Sequence, residues 1–188
     1  MSTFVRSVIA ALLLAVPVAA EAVGIIEDEA TGMFALFGLT QVAGWLLAGT
    51  VVRDLSAGGG AASRWGSRLV MLGVAFQLLF ALATFLSWAF TGKPAEASFI
   101  AFGLGFICLT VGGLMWAVRL RRTGSLAATF GLAGVAVLGF VAIAAGDNIV
   151  HEIALQGSYL AWVLVGVGAA SAPRAARDRA IQPQELRH

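Results

Sequence analysis

The stretch SRLVMLGVAFQLLFALATFLSWAF, residues 67–90, carries one charged side chain, Arg68, placed at its very start. A helix rises ~1.5 Å per residue, so a run of this length matches the ~30 Å hydrocarbon thickness of a bilayer. A strand in a soluble core needs only about 4–8 residues. Lipid also offers a backbone no hydrogen-bond partner, and a helix satisfies its N–H and C=O groups within itself. Residues 67–90 therefore read as a membrane-spanning helix.

Five more runs share this character: residues 3–26, 32–52, 97–118, 125–146 and 148–170. Together they predict an all-α, polytopic transmembrane bundle of six helices. It forms a single domain over residues 1–172, followed by a mobile cytoplasmic tail over 173–188. The composition agrees, with 60% hydrophobic and 12% charged residues. A soluble domain carries about 25% charged residues. The connectors are short, among them Glu27-Asp28-Glu29, the glycine run 58–60, Gly92-Lys93-Pro94 and a tight turn at Gly146-Asp147-Asn148.

Basic residues set the orientation, because Lys and Arg are retained on the cytoplasmic side. Placing the N-terminus inside collects Arg6, Arg53, Arg64, Arg68, Arg119, Arg121, Arg122, Arg174, Arg177, Arg179 and Arg187 on one side. That is eleven of the twelve basic residues, leaving only Lys93 outside. The bundle is expected N-in and C-in. A second feature competes at the N-terminus. Arg6, the apolar 8–16 segment and Ala20-Glu21-Ala22 resemble a signal peptide with its cleavage pattern. Cleavage would leave five helices and the same C-terminal side. The length of the first apolar run favours its retention as a helix.

Glycine is abundant and sits within the predicted helices: Gly103, Gly105, Gly112 and Gly113 in the fourth, Gly131, Gly134 and Gly139 in the fifth, Gly157, Gly166 and Gly168 in the sixth. Apolar faces gain little from packing together in lipid, so close backbone approach between helices is the expected source of cohesion.

The sixth helix carries the most informative polar pattern. At 100° per residue, Asn148, His151, Glu152, Gln156, Tyr159 and Trp162 share one face. Val150, Ile153, Ala154, Gly157, Leu160, Ala161 and Leu164 share the other. The polar face is expected to turn toward the bundle, since exposing such groups to lipid is costly. Gln41 and Gln77 reach a similar depth on the second and third helices, ~13 Å from their starts at ~1.5 Å per residue. Trp45 follows one turn below Gln41. A polar layer of Gln41, Gln77, Gln156 and Tyr159 is thus expected, serving either as interhelical hydrogen bonds or as the wall of an outward-opening pocket.

Above it, Asp147, His151 and Glu152 crown the sixth helix. Asp147 and His151 are spaced i, i+4, and a carboxylate with an imidazole can ligate a divalent metal. Helix capping by Asp147 or Asn148, with Glu152 complementing the helix dipole, explains the same residues without a metal. No cofactor is implied. His151 and His188 are the only histidines, so a haem held by two intramembrane histidines of one chain is excluded. Cys108 stands alone, which excludes an intrachain disulfide and a CxxC pair.

No P-loop, G-x-S-x-G or H-E-x-x-H motif is present, which leans away from enzymatic chemistry, and the only lysine, Lys93, lies in a loop, so no helix offers one for a retinal Schiff base. The arginines sit at helix ends, where topology accounts for them without nucleic acid. The Ala, Gly, Val and Arg bias resembles a GC-rich bacterium, so the location implied is a bacterial inner membrane. Three classes of function remain: binding or transport of a small molecule or cation through an outward-facing cavity, an accessory subunit of a larger complex or homo-oligomer, and a lipid-modifying enzyme using His151 and Glu152.

Overall fold

Each apolar run folds as a helix, and no strand occurs among the described residues. The computed structural model describes residues 1–22, 31–56, 64–93, 95–123, 125–146 and 149–185, with side chains outside 21–22, 31–34, 122–123 and 172–185. The helices are α1 (Thr3–Ala22), α2 (Thr31–Ser56), α3 (Arg64–Thr91), α4 (Ser98–Thr123), α5 (Leu126–Ala145) and α6 (Ile149–Glu185). All six contain a segment long and apolar enough to cross a membrane. The chain is a multi-pass membrane protein.

The helix ends depart from the apolar runs in a consistent way. α2, α3 and α4 continue by about a turn at the end where Arg53, Arg64, Arg119 and Arg121 reside, and α6 continues through Glu185. The apolar pattern marks where hydrocarbon ends, whereas the hydrogen-bond ladder runs on into the polar interface. The polar segment after Ser171 therefore begins as a helical extension of α6. Residues 23–26 and the cap candidates Asp147 and Asn148 lie outside the described residues.

The six helices form a closed ring in chain order. Each packs on its sequence neighbours, α6 returns to α1, and α2 and α6 also touch across the interior. Such a ring follows from short connectors, which force consecutive helices to lie side by side. α6 settles its own rotation plainly: Tyr159 and Trp162 are 2% and 0% exposed, while Ile153 and Leu160 are 66% and 50% exposed. Its polar face is turned inward. Ala154 and Ala161, on the expected apolar face, are also buried.

Small residues let neighbouring backbones meet. A Cβ at Gly73 would stand 2.8 Å from the Gly105 carbonyl oxygen, and one at Gly112 would stand 2.7 Å from the Val70 nitrogen, so α3 and α4 touch main chain to main chain. Gly131 does the same against Val165 of α6, with 2.5 Å to its nitrogen. Polar side chains stitch the same seams by donating to carbonyls of the adjacent helix. Thr110 reaches Ala136 at 3.1 Å, Ser158 reaches Val135 at 3.1 Å, and Ser7 reaches Trp162. At the arginine-rich end, Asp54 of α2 accepts from Thr3 at 2.7 Å and pairs with Arg6 of α1.

Candidate functional site

The ring encloses a cavity of about 740 Å³ at the end opposite the arginines. All six helices contribute to its wall. Pro17 and Val18 come from the last turns of α1, Phe37, Gly38 and Gln41 from the first turns of α2, and His151, Leu155 and Tyr159 from the start of α6. α3 supplies Phe80, Thr84 and Trp88, one per turn, so a single face of that helix forms one wall. Facing it, α4 supplies Ser98, Phe99, Phe102 and Gly103. Phenylalanine rings of α3 and α4 pack on one another along this wall. Phe80 lies 5.7 Å from Phe99 and 5.0 Å from Phe102, and Phe102 lies 4.9 Å from the buried Phe106.

The floor is aromatic as well. Tyr159 lines the cavity, and the ring of Trp45, which does not, packs edge-on against it and also against Trp162, at 6.2 Å. Both indoles are buried, and both indole N–H groups lack a hydrogen-bond partner. Tyr159 is the deepest lining residue that α6 contributes, and Trp45 lies behind it, outside the lining.

The expected polar layer divides into two kinds of residue. Gln41 and Tyr159 face the cavity, and neither side chain hydrogen-bonds another residue among those described. Gln77 and Gln156 instead tie helices together. The Gln77 amide, fully buried, donates to the Phe102 carbonyl at 3.0 Å, and its Oε1 is left without a partner. The Gln156 amide donates to the Ala15 carbonyl of α1 at 3.1 Å, two residues before Pro17. Trp45 lies behind Tyr159 and does not reach the cavity. Its side chain borders a separate groove between α2 and α3.

His151 lines the cavity near its mouth, with Nδ1 2.7 Å from the Ala142 carbonyl. A carbonyl only accepts, so Nδ1 carries the hydrogen, and in the neutral ring Nε2 is the acceptor nitrogen. Ala142 sits in the last turn of α5, where carbonyls lose their helical partners, so His151 caps that helix from the next one. Between the two helices Gly146 takes φ +67°, a conformation that a residue with a Cβ rarely adopts. Glu152 is half-buried and is not part of the cavity wall, so His151 and Glu152 do not share that space. Among the described residues no three His, Cys, Asp or Glu side chains gather as a metal site would need. Asp147, the third residue of the expected metal set, lies outside them.

The residues that sequence reasoning missed are the aromatic ones. Phe37, Phe80, Phe99 and Phe102 all line the cavity, yet phenylalanine is equally suited to face lipid. The one available signal was the i, i+4, i+8 spacing of Phe80, Thr84 and Trp88, which places a hydroxyl between two rings on one helical face.

No carboxylate lines the cavity among the described residues, and its polar groups are an amide, three hydroxyls, one imidazole and the Trp88 indole. Such a lining suits an uncharged ring-bearing molecule with one or two hydrogen-bonding atoms. The volume falls in the range of ~300–1,000 Å³ typical of small-molecule sites. No protein-family model, no curated protein and no solved structure matches the chain.

Proposed function

We propose that this chain binds a small, uncharged, largely apolar molecule in the ring cavity, within a bacterial inner membrane and from the side opposite the cytoplasm. The observation that carries the reading is the pairing of Gln41 and Tyr159. Both reach the cavity, Tyr159 is almost fully buried, and neither spends its polar atoms on another residue among those described. Both groups border the cavity with no described partner, so a molecule that brings its own donor or acceptor gains a hydrogen bond there without breaking one. The phenylalanine rings would take the molecule's apolar body, and Trp88 would close over it near the mouth. The described lining contains no carboxylate, which supports this reading over cation handling. Movement of the molecule past the floor would require Trp45 and Tyr159 to part, so binding is the primary activity and passage a further step.

The test uses 1,4-naphthoquinone, a flat uncharged ring with carbonyl acceptors, and reads quenching of tryptophan fluorescence in detergent micelles. Wild-type protein is expected to show saturable quenching. Gly103→Phe should abolish it without unfolding the chain, because a Cβ at Gly103 meets nothing within 4 Å and the new ring would fill the cavity. Unchanged saturable quenching in that variant would refute the reading.

A further inference from the structure

A second concavity lies on the outside of the ring, in its arginine-rich half. It is a groove of about 270 Å³ between α2 and α3, bordered by Leu46, Gly49 and Thr50 on one side and Met71, Val74 and Leu78 on the other. Arg53 stands at one end of it and Trp45 at the other. The bordering residues Leu46 and Met71 are 55% and 40% exposed, so the groove faces the hydrocarbon rather than the ring interior. Gly49 leaves it deep, because the position has no side chain to fill it.

Among the described side chains, none neutralises the charge at its Arg53 end. Asp54, the only acid with a described side chain at that end, is already held by Arg6 and Thr3. The Arg53 guanidinium is exposed and makes no ion pair among the described residues. One turn beyond Met71 on α3, Arg68 adds a second exposed guanidinium, 5.4 Å from the ring centre of Trp65. Trp65 is 65% exposed, as expected of an indole at the level of lipid headgroups. An apolar furrow of one helical pair thus ends beneath two cations at the interface. Guanidinium groups hold phosphate through charge-assisted hydrogen bonds, and hydrocarbon fills an apolar furrow.

We propose that this groove is a binding site for one anionic phospholipid of the arginine-side leaflet, with an acyl chain along α2 and α3 and the phosphate at Arg53, aided by Arg68. The site is independent of the ring cavity and of any molecule bound there.

Native mass spectrometry of the full chain, delipidated in mild detergent and titrated with phosphatidylglycerol or phosphatidylcholine, tests it. One phosphatidylglycerol per chain is expected, bound at least tenfold more tightly than phosphatidylcholine. Arg53→Gln should weaken it about tenfold, in line with loss of one charge-assisted contact. Gly49→Leu should abolish it by filling the furrow, and its Cβ would make only ordinary contact with Val74, at 3.5 Å. Arg121→Gln, an exposed arginine at the same end on α4, should change nothing. Equal binding of the two lipids would overturn the proposal, as would wild-type affinity in both Arg53→Gln and Gly49→Leu. So would a dimer that covers the groove and excludes lipid.

Discussion

The ring of Trp45 meets the ring of Tyr159 edge to face, with 5.9 Å between centroids. Tyr159 borders the enclosed cavity, and Trp45 borders the groove that faces lipid. Two side chains therefore stand between the ring cavity and the lipid-facing groove. The two should respond differently to substitution. Tyr159→Phe removes a hydroxyl that bonds no described residue, so stability should hold within ~0.5 kcal/mol, the range of substitutions away from structural contacts. Naphthoquinone affinity should fall about tenfold, as one lost hydrogen bond of ~1–1.5 kcal/mol implies. Trp45→Ala should instead cost ~3–5 kcal/mol, the range for deleting a buried aromatic. Unfolding in detergent measures the stabilities. A similar loss in both variants would mean that the Tyr159 hydroxyl is structural.

Glycines in the ring should separate into two classes. Gly131→Ala places a Cβ 2.5 Å from the Val165 nitrogen, so α5 and α6 must move apart. Overpacking of that kind costs ~1–3 kcal/mol. Gly103→Ala meets nothing and should be neutral or stabilising by up to ~1 kcal/mol, from helix propensity. Comparison of thermal midpoints of the two alanine variants in one detergent reads the difference. The order of the two midpoints is the result at stake.

The two buried glutamines should also differ. Gln77→Leu gives up one hydrogen bond to Phe102, worth ~0.6–1.7 kcal/mol in a membrane protein. It also removes the orphaned Oε1, whose burial costs about 1–3 kcal/mol. The second effect is the larger, and Phe102 keeps its place in the α4 ladder, so this variant should be as stable as wild type or more so. Gln156→Leu has no buried orphan to relieve and should lose ~0.6–1.7 kcal/mol. Chemical unfolding of the two variants side by side decides the matter. A greater loss for Gln77→Leu would reverse the argument.

Arg6 and Asp54 are partly buried partners, with side chains 20% and 28% exposed. Removing one leaves the other half-buried and unmatched. Asp54→Ala and Arg6→Ala should each cost ~1–3 kcal/mol, below the ~3–5 expected of a fully buried pair. The double variant should lose much less than the sum, with a coupling of ~0.5–3 kcal/mol in a double-mutant cycle. Strict additivity would show that the two charges act independently.

Most of the architecture is legible in the order of amino acids, because lipid imposes two rules that few chains escape. A crossing segment needs length and few charges, which locates all six helices. A polar face cannot be turned outward, which gives α6 its rotation from His151, Glu152, Gln156 and Tyr159 alone. Depth is also legible, and Gln41 and Tyr159 do share the cavity. Azimuth is harder to read. Gln77 has the right depth but points toward α4, and nothing in its apolar surroundings marks that direction. The phenylalanine wall is hidden for the same reason. In water, an inward face contrasts with a polar outward one, whereas in lipid Phe80 inside and Phe130 outside are chemically alike. Helical spacing sets Trp45 one turn below Gln41, but it cannot reveal that Tyr159 stands in front of that indole.

Closure of the helix ring between α1 and α6 bears on how the protein is made. A ribosome releases the six segments in order, and each can dock on its predecessor as it enters the membrane, through contacts local in the chain. The final seam joins the earliest segment to the latest, so until Ile149–Ser171 is inserted the nascent chain is an open arc. Its Ser7 and Ala15 contacts are then unmade, and the ring cavity does not yet exist. Quality control acting on unassembled membrane segments would meet that arc at every round of synthesis. A chain interrupted before its last helix should be cleared from the cell even though five of its six spans are intact.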